Sequence, residues 1–110
     1  MYVMPKPAAL DAQTLRQAAG EAVSVLKAMG NPERLLLLCQ MSQGEVSVGE
    51  LEALLDIHQP TLSQQLGVLR REGVVATRRD GKKVLYSVAD ARLLVLLRTL
   101  YDLYCPKEGP

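Results

Sequence analysis

The forty residues 47–86, SVGELEALLDIHQPTLSQQLGVLRREGVVATRRDGKKVLY, decide the fold. They contain two short helical patterns separated by a break at residues 57–59, followed by two alternating strand patterns that meet at Asp80 and Gly81. An Asp-Gly pair between alternating apolar residues is a strong signal for a two-residue hairpin turn. The stretch therefore predicts two helices followed by a β-hairpin.

Each of the two helices has its own start signal. Ser47 and Glu50 form a capping box, in which the serine oxygen accepts from the Glu50 amide and the glutamate reaches back to Ser47. This helix should end near Asp56, and Pro60 suits the first turn of the next helix because its missing N–H would have no partner there. Leucines recur at helical spacing along one face of each helix: Leu51, Leu54 and Leu55 in the first, and Leu62, Leu66 and Leu69 in the second.

The second helix carries a polar face opposite its leucines. This face consists of Thr61, Gln64, Val68 and Arg71, flanked by Ser63 and Gln65. Amide and hydroxyl groups can pair with base edges in the major groove, and glutamine pairs most directly with adenine. An isolated polar face is more often the solvated side of an amphipathic helix, so the interpretation depends on what surrounds it.

The surrounding charge favours DNA. Residues 68–83 hold six basic and two acidic residues, a net +4, whereas residues 45–56 hold four acidic residues and no base, in a chain whose net charge is +1. Basic side chains on a hairpin beside a polar helix can bind phosphates on both sides of a groove and release counterions. A solvated edge hairpin that uses lysine against aggregation is the alternative. We predict a mainly α winged helix-turn-helix of about five helices and a two-stranded wing, which binds double-stranded DNA.

The length and composition predict one domain with a modest core, since the chain has 110 residues, of which 48% are hydrophobic and 23% charged. We expect residues 1–10 to form a flexible arm, residues 11–105 the DNA-binding and dimerisation domain, and residues 106–110 a tail. No apolar run reaches the roughly 18 residues that a membrane span requires, and the N-terminus lacks a signal-peptide core. The expected location is the cytoplasm.

Three further helices are predicted around the central stretch. The first begins after a cap at Asp11 and ends at Gly30. Asn31 begins the second, whose apolar run from residue 35 to residue 41 predicts burial on most sides and an end at Gly44. Asp90 caps the last helix.

The last helix is apolar around too much of its circumference for a domain of this size. A second copy of the chain is the obvious cover, because two-fold dimers dominate among soluble oligomers. Dimeric helix-turn-helix proteins place their recognition helices about one DNA turn apart, so we expect a near-palindromic operator.

Cys39 and Cys105 are the candidates for chemistry beyond DNA binding. They lack metal-ligand spacing, and with His58 alone they are too few for a zinc site, so we predict no metal and no cofactor. Cys39 fits a small buried hydrophobe, whereas Cys105, beside Pro106 at a helix end, should be accessible. If the last helix packs across the second, the two sulfurs could meet within one subunit. A thiol-dependent sulfur transferase is the enzymatic alternative, but neither a glycine-rich phosphate loop nor paired carboxylates support it, and we predict no enzyme.

Residues 15–105 resemble the ArsR/SmtB family of bacterial winged-helix repressors. The resemblance rests on VLKAMGNPERLLLLCQM, SVGELEALL and QPTLSQQLGVLRREGVVATRRDGKKVLYSV. Metal-sensing members typically carry a cysteine-rich ELCVCDL-like segment in the third helix, or paired Asp and His ligands in the last. The corresponding segments here read VGELEAL and ADARLLVLLRTLYDL, which argues against arsenic, zinc or nickel sensing.

Within the family the chain is most similar to a dithiol branch, with one cysteine in an RLxLLC-like sequence and another in an LYxxxC-like ending. The resemblance implies that Cys39 and Cys105 become linked by a disulfide or polysulfide bridge when persulfides, other reactive sulfur species or oxidants appear, and that operator DNA is then released. A metal-independent, constitutive DNA-binding regulator with structural cysteines is the first alternative, and a metal-sensing repressor of the same family is the less favoured second.

The resemblance also implies the residues that contact DNA. The recognition positions are Gln59, Thr61, Ser63, Gln64 and Gln65, and the wing contacts are Arg78, Arg79, Lys82 and Lys83. Helical spacing independently places Thr61, Gln64 and Arg71 on the polar face of this helix. It places Gln65 toward the edge of the core.

Overall fold

Five helices and a three-stranded antiparallel sheet make up the computed structural model, which describes residues 11–106. The elements are α1 (Ala12–Met29), α2 (Pro32–Met41), β1 (Val46–Ser47), α3 (Val48–Leu55), α4 (Thr61–Arg71), β2 (Val75–Asp80), β3 (Lys83–Val88) and α5 (Ala91–Tyr104). The predicted winged helix-turn-helix is confirmed, with α3 and α4 as its helices and β2 and β3 as its wing. The expected arm at residues 1–10 and most of the expected tail lie outside the described residues. Among residues 11–106, no helix is long and apolar enough to cross a membrane.

Side-chain caps set the start of four helices where the sequence predicts them. Asp11 accepts from the Thr14 amide at 2.6 Å, and Asn31 accepts from the Arg34 amide at 3.1 Å. Both bonds of the capping box between Ser47 and Glu50 are present, and Asp90 accepts from the Arg92 amide at 2.8 Å. These caps satisfy backbone donors that have no partner inside a helix.

Two predicted helix boundaries need correction. Helix α2 ends at Met41 rather than Gly44, because residues 42 and 43 form a turn and Gly44 has a φ of 136°, which turns the chain toward β1. Pro60 precedes α4 as its N-cap instead of lying in its first turn.

The wing is a tight hairpin that carries a third strand on one side. β2 and β3 pair from Val75 opposite Val88 to Asp80 opposite Lys83, and Gly81 at the turn has a φ of 64°. The sequence predicts a wing of two strands. The structure adds β1, whose two residues pair with β3, so that the strand order is β1-β3-β2.

The core lies where the helices meet the base of the wing. Its fully buried side chains come from α2, α3, α4 and α5: Leu37, Leu38, Met41, Leu51, Leu62, Leu69, Leu93 and Leu97. The expectation that α2 is surrounded on most sides is too strong, because Leu36 is 48% exposed and Leu35 and Cys39 are only half-buried. Leu54 is also exposed, although its spacing groups it with Leu51.

Helices α1 and α5 leave much of their apolar surface uncovered. Only Ala28 and Met29 of α1 are buried, both at its C-terminal end, and only Leu93 and Leu97 of α5. The radius of gyration is 16.4 Å, whereas a compact chain of similar length has about 13 Å. The domain therefore ends in an apolar face formed by two helices.

Candidate nucleic-acid interface and thiol site

Helix α4 presents two polar side chains to solvent without a protein partner. Thr61 and Gln64 are exposed, and their side chains make no hydrogen bond to any of residues 11–106. The buried side of the same helix holds Leu62, Leu66 and Leu69 in the core. The core thus fixes the outward direction of the two polar side chains, which are free to contact a base.

Gln59 and Ser63 form a local pair at the start of α4. The Gln59 Oε1 atom accepts from the Ser63 amide at 3.1 Å and from its hydroxyl at 2.6 Å. The Gln59 side chain therefore supplies the cap that Pro60 cannot provide. Both residues are exposed at the N-terminal end of α4, beside Thr61 and Gln64.

Gln65 faces the protein. It is half-buried, and its Oε1 accepts from Arg34 Nη1 on α2 at 3.0 Å. Arg34 takes one of the two lone pairs of this oxygen, while the amide nitrogen of Gln65 makes no hydrogen bond among residues 11–106. This placement at the edge of the core is the one that helical spacing predicts for Gln65.

The wing carries exposed basic side chains, one of which is paired. Arg79, Lys82 and Lys83 are exposed, as is Arg71 at the end of α4. Arg78 instead forms a two-bond ion pair with Glu45, with Nε–Oε2 at 2.5 Å and Nη2–Oε1 at 2.8 Å. The Arg78 guanidinium holds the pKa of Glu45 below its ordinary value of 4.5. Glu45 occupies the Nε–Nη2 edge of the Arg78 guanidinium, so a phosphate that binds this edge must displace Glu45.

His58 belongs to the turn between α3 and α4. Its Nε2 lies 2.6 Å from Asp56 Oδ1, and both side chains are largely exposed. Asp56 itself has a φ of 54° and ends α3. Within residues 11–106, no group of three or more histidine, cysteine, aspartate or glutamate side chains is arranged to hold a metal ion.

The two thiols line one open groove between α2 and α5. Cys39 is half-buried on α2 and Cys105 is exposed at the end of α5, and both are free thiols. The groove has a volume of about 610 Å³, and its other walls include Leu36, Arg98 and Tyr101. Burial raises the pKa of the Cys39 thiol, and the neighbouring Cys105 raises it further. Helix α5 packs against α2, which meets the condition under which the two sulfurs could approach each other within one subunit.

Comparison with known proteins defines the family. Residues 31–77 match the model of the arsR family of bacterial regulatory proteins. The biofilm growth-associated repressor of Agrobacterium fabrum is 50% identical over 94 residues, which cover 86% of this chain and 80% of that protein. The chain belongs to the ArsR family. ArsR-family members are DNA-binding transcriptional regulators, so the chain is a regulator and not an enzyme.

Two other ArsR-family relatives match over nearly their full length. The transcriptional activator HlyU of Vibrio cholerae is 39% identical over 100 residues, which cover 91% of this chain and 93% of that protein. The crystal structure of the repressor BigR from Xylella fastidiosa superposes with a TM-score of 0.79 at 43% identity, covering 89% of this chain and 100% of that one. The structure of reduced HlyU from Vibrio cholerae superposes with a TM-score of 0.80 at 39% identity, covering 86% of this chain and 99% of that one.

Sequence reasoning missed two residues that contact the DNA-binding elements. Arg34 and Glu45 lie 31 and 33 positions from Gln65 and Arg78, the side chains to which they bind. No local pattern links residues so far apart. The nearest signal is the segregation of acidic residues 45–56 from basic residues 68–83, which allows ion pairs between the two segments without naming the partners.

Proposed function

We propose that this ArsR-family protein is a dimeric, cytoplasmic repressor that releases a near-palindromic operator when Cys39 and Cys105 become crosslinked by reactive sulfur species or oxidants. The observation that carries the proposal is that two thiols 66 positions apart in sequence line a single groove. The relatives include two repressors, the biofilm growth-associated repressor and BigR, and one structure of HlyU is that of its reduced form, which is consistent with the proposal.

In the proposed complex, α4 enters the major groove with Thr61 and Gln64 toward the base edges. Gln59 and Ser63 lie at the helix start near the DNA backbone, and Gln65 offers its amide nitrogen while its oxygen holds Arg34. Phosphates would be bound by the basic side chains of α4 and the wing: Arg71, Arg78, Arg79, Lys82 and Lys83. Arg78 can offer its Nε–Nη2 edge to a phosphate only after that edge releases Glu45.

The different surroundings of the two thiols suggest an order of reaction. A thiolate is the attacking species, and the raised pKa of Cys39 leaves little thiolate there at neutral pH. Cys105 is exposed at the mouth of the groove, so it attacks first. It takes the outer sulfur of glutathione persulfide, becomes a persulfide itself, and releases glutathione as the leaving thiolate.

Cys39 then completes the crosslink. Its sulfur attacks the inner sulfur of the Cys105 persulfide, hydrosulfide leaves, and a disulfide remains. If both cysteines first become persulfides, attack of one on the other expels hydrosulfide and leaves a trisulfide. With hydrogen peroxide, Cys105 becomes a sulfenic acid as one water forms, and Cys39 displaces a second water. Reduction of the bridge by a cellular thiol restores both starting thiols.

A crosslink needs only modest energetic coupling to release DNA. A change of about 1 to 3 kcal/mol in operator binding corresponds to roughly 5- to 150-fold in affinity. The bridge would hold α2 against the end of α5, and α5 forms part of the uncovered apolar face. Movement there would change the distance between the two recognition helices of a dimer.

The decisive experiment compares operator release in the wild type and in the two single-cysteine variants. The probe is a duplex selected in vitro on the reduced protein, and binding is followed by fluorescence anisotropy after treatment with glutathione persulfide or hydrogen peroxide. We expect the wild type to lose about tenfold or more in affinity, and Cys39→Ser and Cys105→Ser to stay bound. Cys39→Ser should still gain a sulfur atom at Cys105, as detected by intact mass.

Peptide mapping of the non-reduced wild type supplies the control, and should find Cys39 joined to Cys105 within one chain. Release from both variants would defeat the switch. If the wild type binds the operator with the same affinity before and after treatment, a constitutive regulator with structural cysteines is favoured.

A further inference from the structure

The Arg34 side chain connects three helices. Its Nε donates to the Ala28 carbonyl at 2.8 Å and its Nη2 to the Lys27 carbonyl at 3.0 Å, both in the last turn of α1. Its Nη1 donates to Gln65 Oε1 on α4 at 3.0 Å. Since Arg34 itself lies on α2, a single planar group joins α1, α2 and the recognition helix.

The chemistry of this joint requires a guanidinium. The last carbonyls of a helix lack donors within the helix, and a positive charge is favoured at that end. A guanidinium directs several N–H donors in fixed directions within one plane, whereas a lysine ammonium is a compact charge on a flexible stem. Two bonds therefore hold the Arg34 plane on α1, which leaves Nη1 aimed at Gln65.

The same helix carries one of the thiols. Cys39 follows Arg34 by five residues, which in an α-helix corresponds to about 7.5 Å along the axis and about 140° around it. Arg34 thus faces α4 while Cys39 faces the groove beside α5, and α2 packs against both helices. Leu37 and Leu38, between them, are fully buried, so α2 moves as a packed unit.

We propose that Arg34 is a positioning residue that couples the thiol groove to the recognition helix. A bond between Cys39 and Cys105 draws α2 toward α5, and the hydrogen bond from Arg34 to Gln65 passes the displacement to α4. Thr61 and Gln64 then leave the orientation that suits the DNA groove. This inference rests on the proposed dithiol switch and adds the route by which it reaches DNA.

The test measures coupling directly, as the ratio of operator dissociation constants in the crosslinked and reduced states. The variants are Arg34→Lys, which keeps the charge, Gln65→Ala, which removes the acceptor, and the double variant. Arg16→Lys is the matched control, because Arg16 is exposed on α1 and makes no side-chain hydrogen bond among residues 11–106. The operator is the duplex selected on the reduced wild type, and crosslinking with glutathione persulfide is followed by mass.

We expect the wild type and Arg16→Lys to show a ratio of about tenfold or more, and both single variants to fall below about threefold while crosslinking at the wild-type rate. The double variant should lose no more than either single one, because both changes remove the same bond. A variant that lowers the melting temperature but keeps the full ratio would show that Arg34 has a structural role alone and would overturn the inference.

The two proposals fail in different ways. If the wild type does not crosslink, or crosslinks without losing affinity, the dithiol switch itself is wrong. If the wild type responds and Arg34→Lys and Gln65→Ala respond equally well, the switch stands and the coupling route is wrong. If Arg34→Lys fails to fold, Gln65→Ala still tests the coupling route, because it removes the acceptor of the Arg34–Gln65 hydrogen bond on α4.

Discussion

At the scale of single residues, the ion pair between Glu45 and Arg78 places a carboxylate beside the wing, where it competes with DNA phosphates for Arg78. Both side chains are exposed, and exposed ion pairs contribute little net stability, so a phosphate can replace the carboxylate. Because the pKa of Glu45 is lowered, the pair is fully formed above pH 4.5 and is lost only as the pH falls through that lowered value. The competition therefore operates at neutral pH.

Replacing Glu45 by glutamine should strengthen DNA binding. We expect Glu45→Gln to bind a duplex several-fold more tightly at low salt, and the plot of log affinity against log salt to steepen by about 0.9 as Arg78 gains a phosphate. Titrations of reduced protein at several salt concentrations measure both quantities. Glu33→Gln, at the start of α2, removes the same charge elsewhere, and equal behaviour of the two variants would show that only net charge matters.

The side chains whose exposure the sequence predicts are those whose surroundings are local. Thr61 and Gln64 follow from helical spacing against the leucines of the same helix. The partners of Gln65 and Arg78 are brought in by the packing of α2 and its following loop, so a periodic pattern cannot supply them. The groove shared by Cys39 and Cys105 is predictable only in part. The sequence predicts both helices, but it does not establish that they pack against each other.

At the scale of helices and strands, caps made the boundaries predictable. The capping box between Ser47 and Glu50 lies within four residues, so its signal is complete in the sequence. β1 has no such signal, because two residues become a strand only through pairing with β3. Ser47 belongs to both elements, as the last residue of β1 and the cap of α3.

Removal of the Ser47 hydroxyl should show which of these roles stabilises the fold. We expect Ser47→Ala to lower the free energy of unfolding by about 1 kcal/mol, because the Glu50 amide loses its acceptor. Urea denaturation of reduced protein measures the change, and Ser47→Thr, which retains a capping oxygen, should keep most of the stability. An unchanged midpoint for Ser47→Ala would mean that the strand pairing alone fixes the start of α3.

At the scale of the whole molecule, the uncovered face of α1 and α5 is the main departure from a self-sufficient domain. Both helices expose large apolar side chains: Leu15, Val23 and Leu26 on α1, and Val95, Leu96, Leu103 and Tyr104 on α5. Tyr101 is also exposed, but it lines the thiol groove beside α2. A groove of about 360 Å³ runs between the helices, and the ion pair of Glu21 with Arg92 at 3.1 Å joins its walls. The dimer stays a prediction, and this face is where we place it.

A charge on this face should separate the subunits. Leu26 is 56% exposed and lines the groove between α1 and α5. We expect Leu26→Glu to sediment as a monomer at micromolar concentrations at which the wild type is a dimer, because pairing would bury an unpaired carboxylate. Leu54→Glu is the control, since Leu54 is 59% exposed on α3 and should leave the dimer intact. A wild type that sediments only as monomer at these concentrations would contradict the prediction.

The scarcity of buried residues in α1 has a consequence for the cell. Of the 18 residues of this helix, the chain alone buries two, and a helix in a protein owes most of its stability to the packing of its apolar face. In the predicted dimer, α1 gains its burial from a second copy, which ties folding to assembly, so stability follows mass action and rises with total protein concentration. We therefore expect the amount of protein that a cell makes to set how many folded dimers can bind an operator, so that a fall in synthesis lifts repression even while every thiol stays reduced.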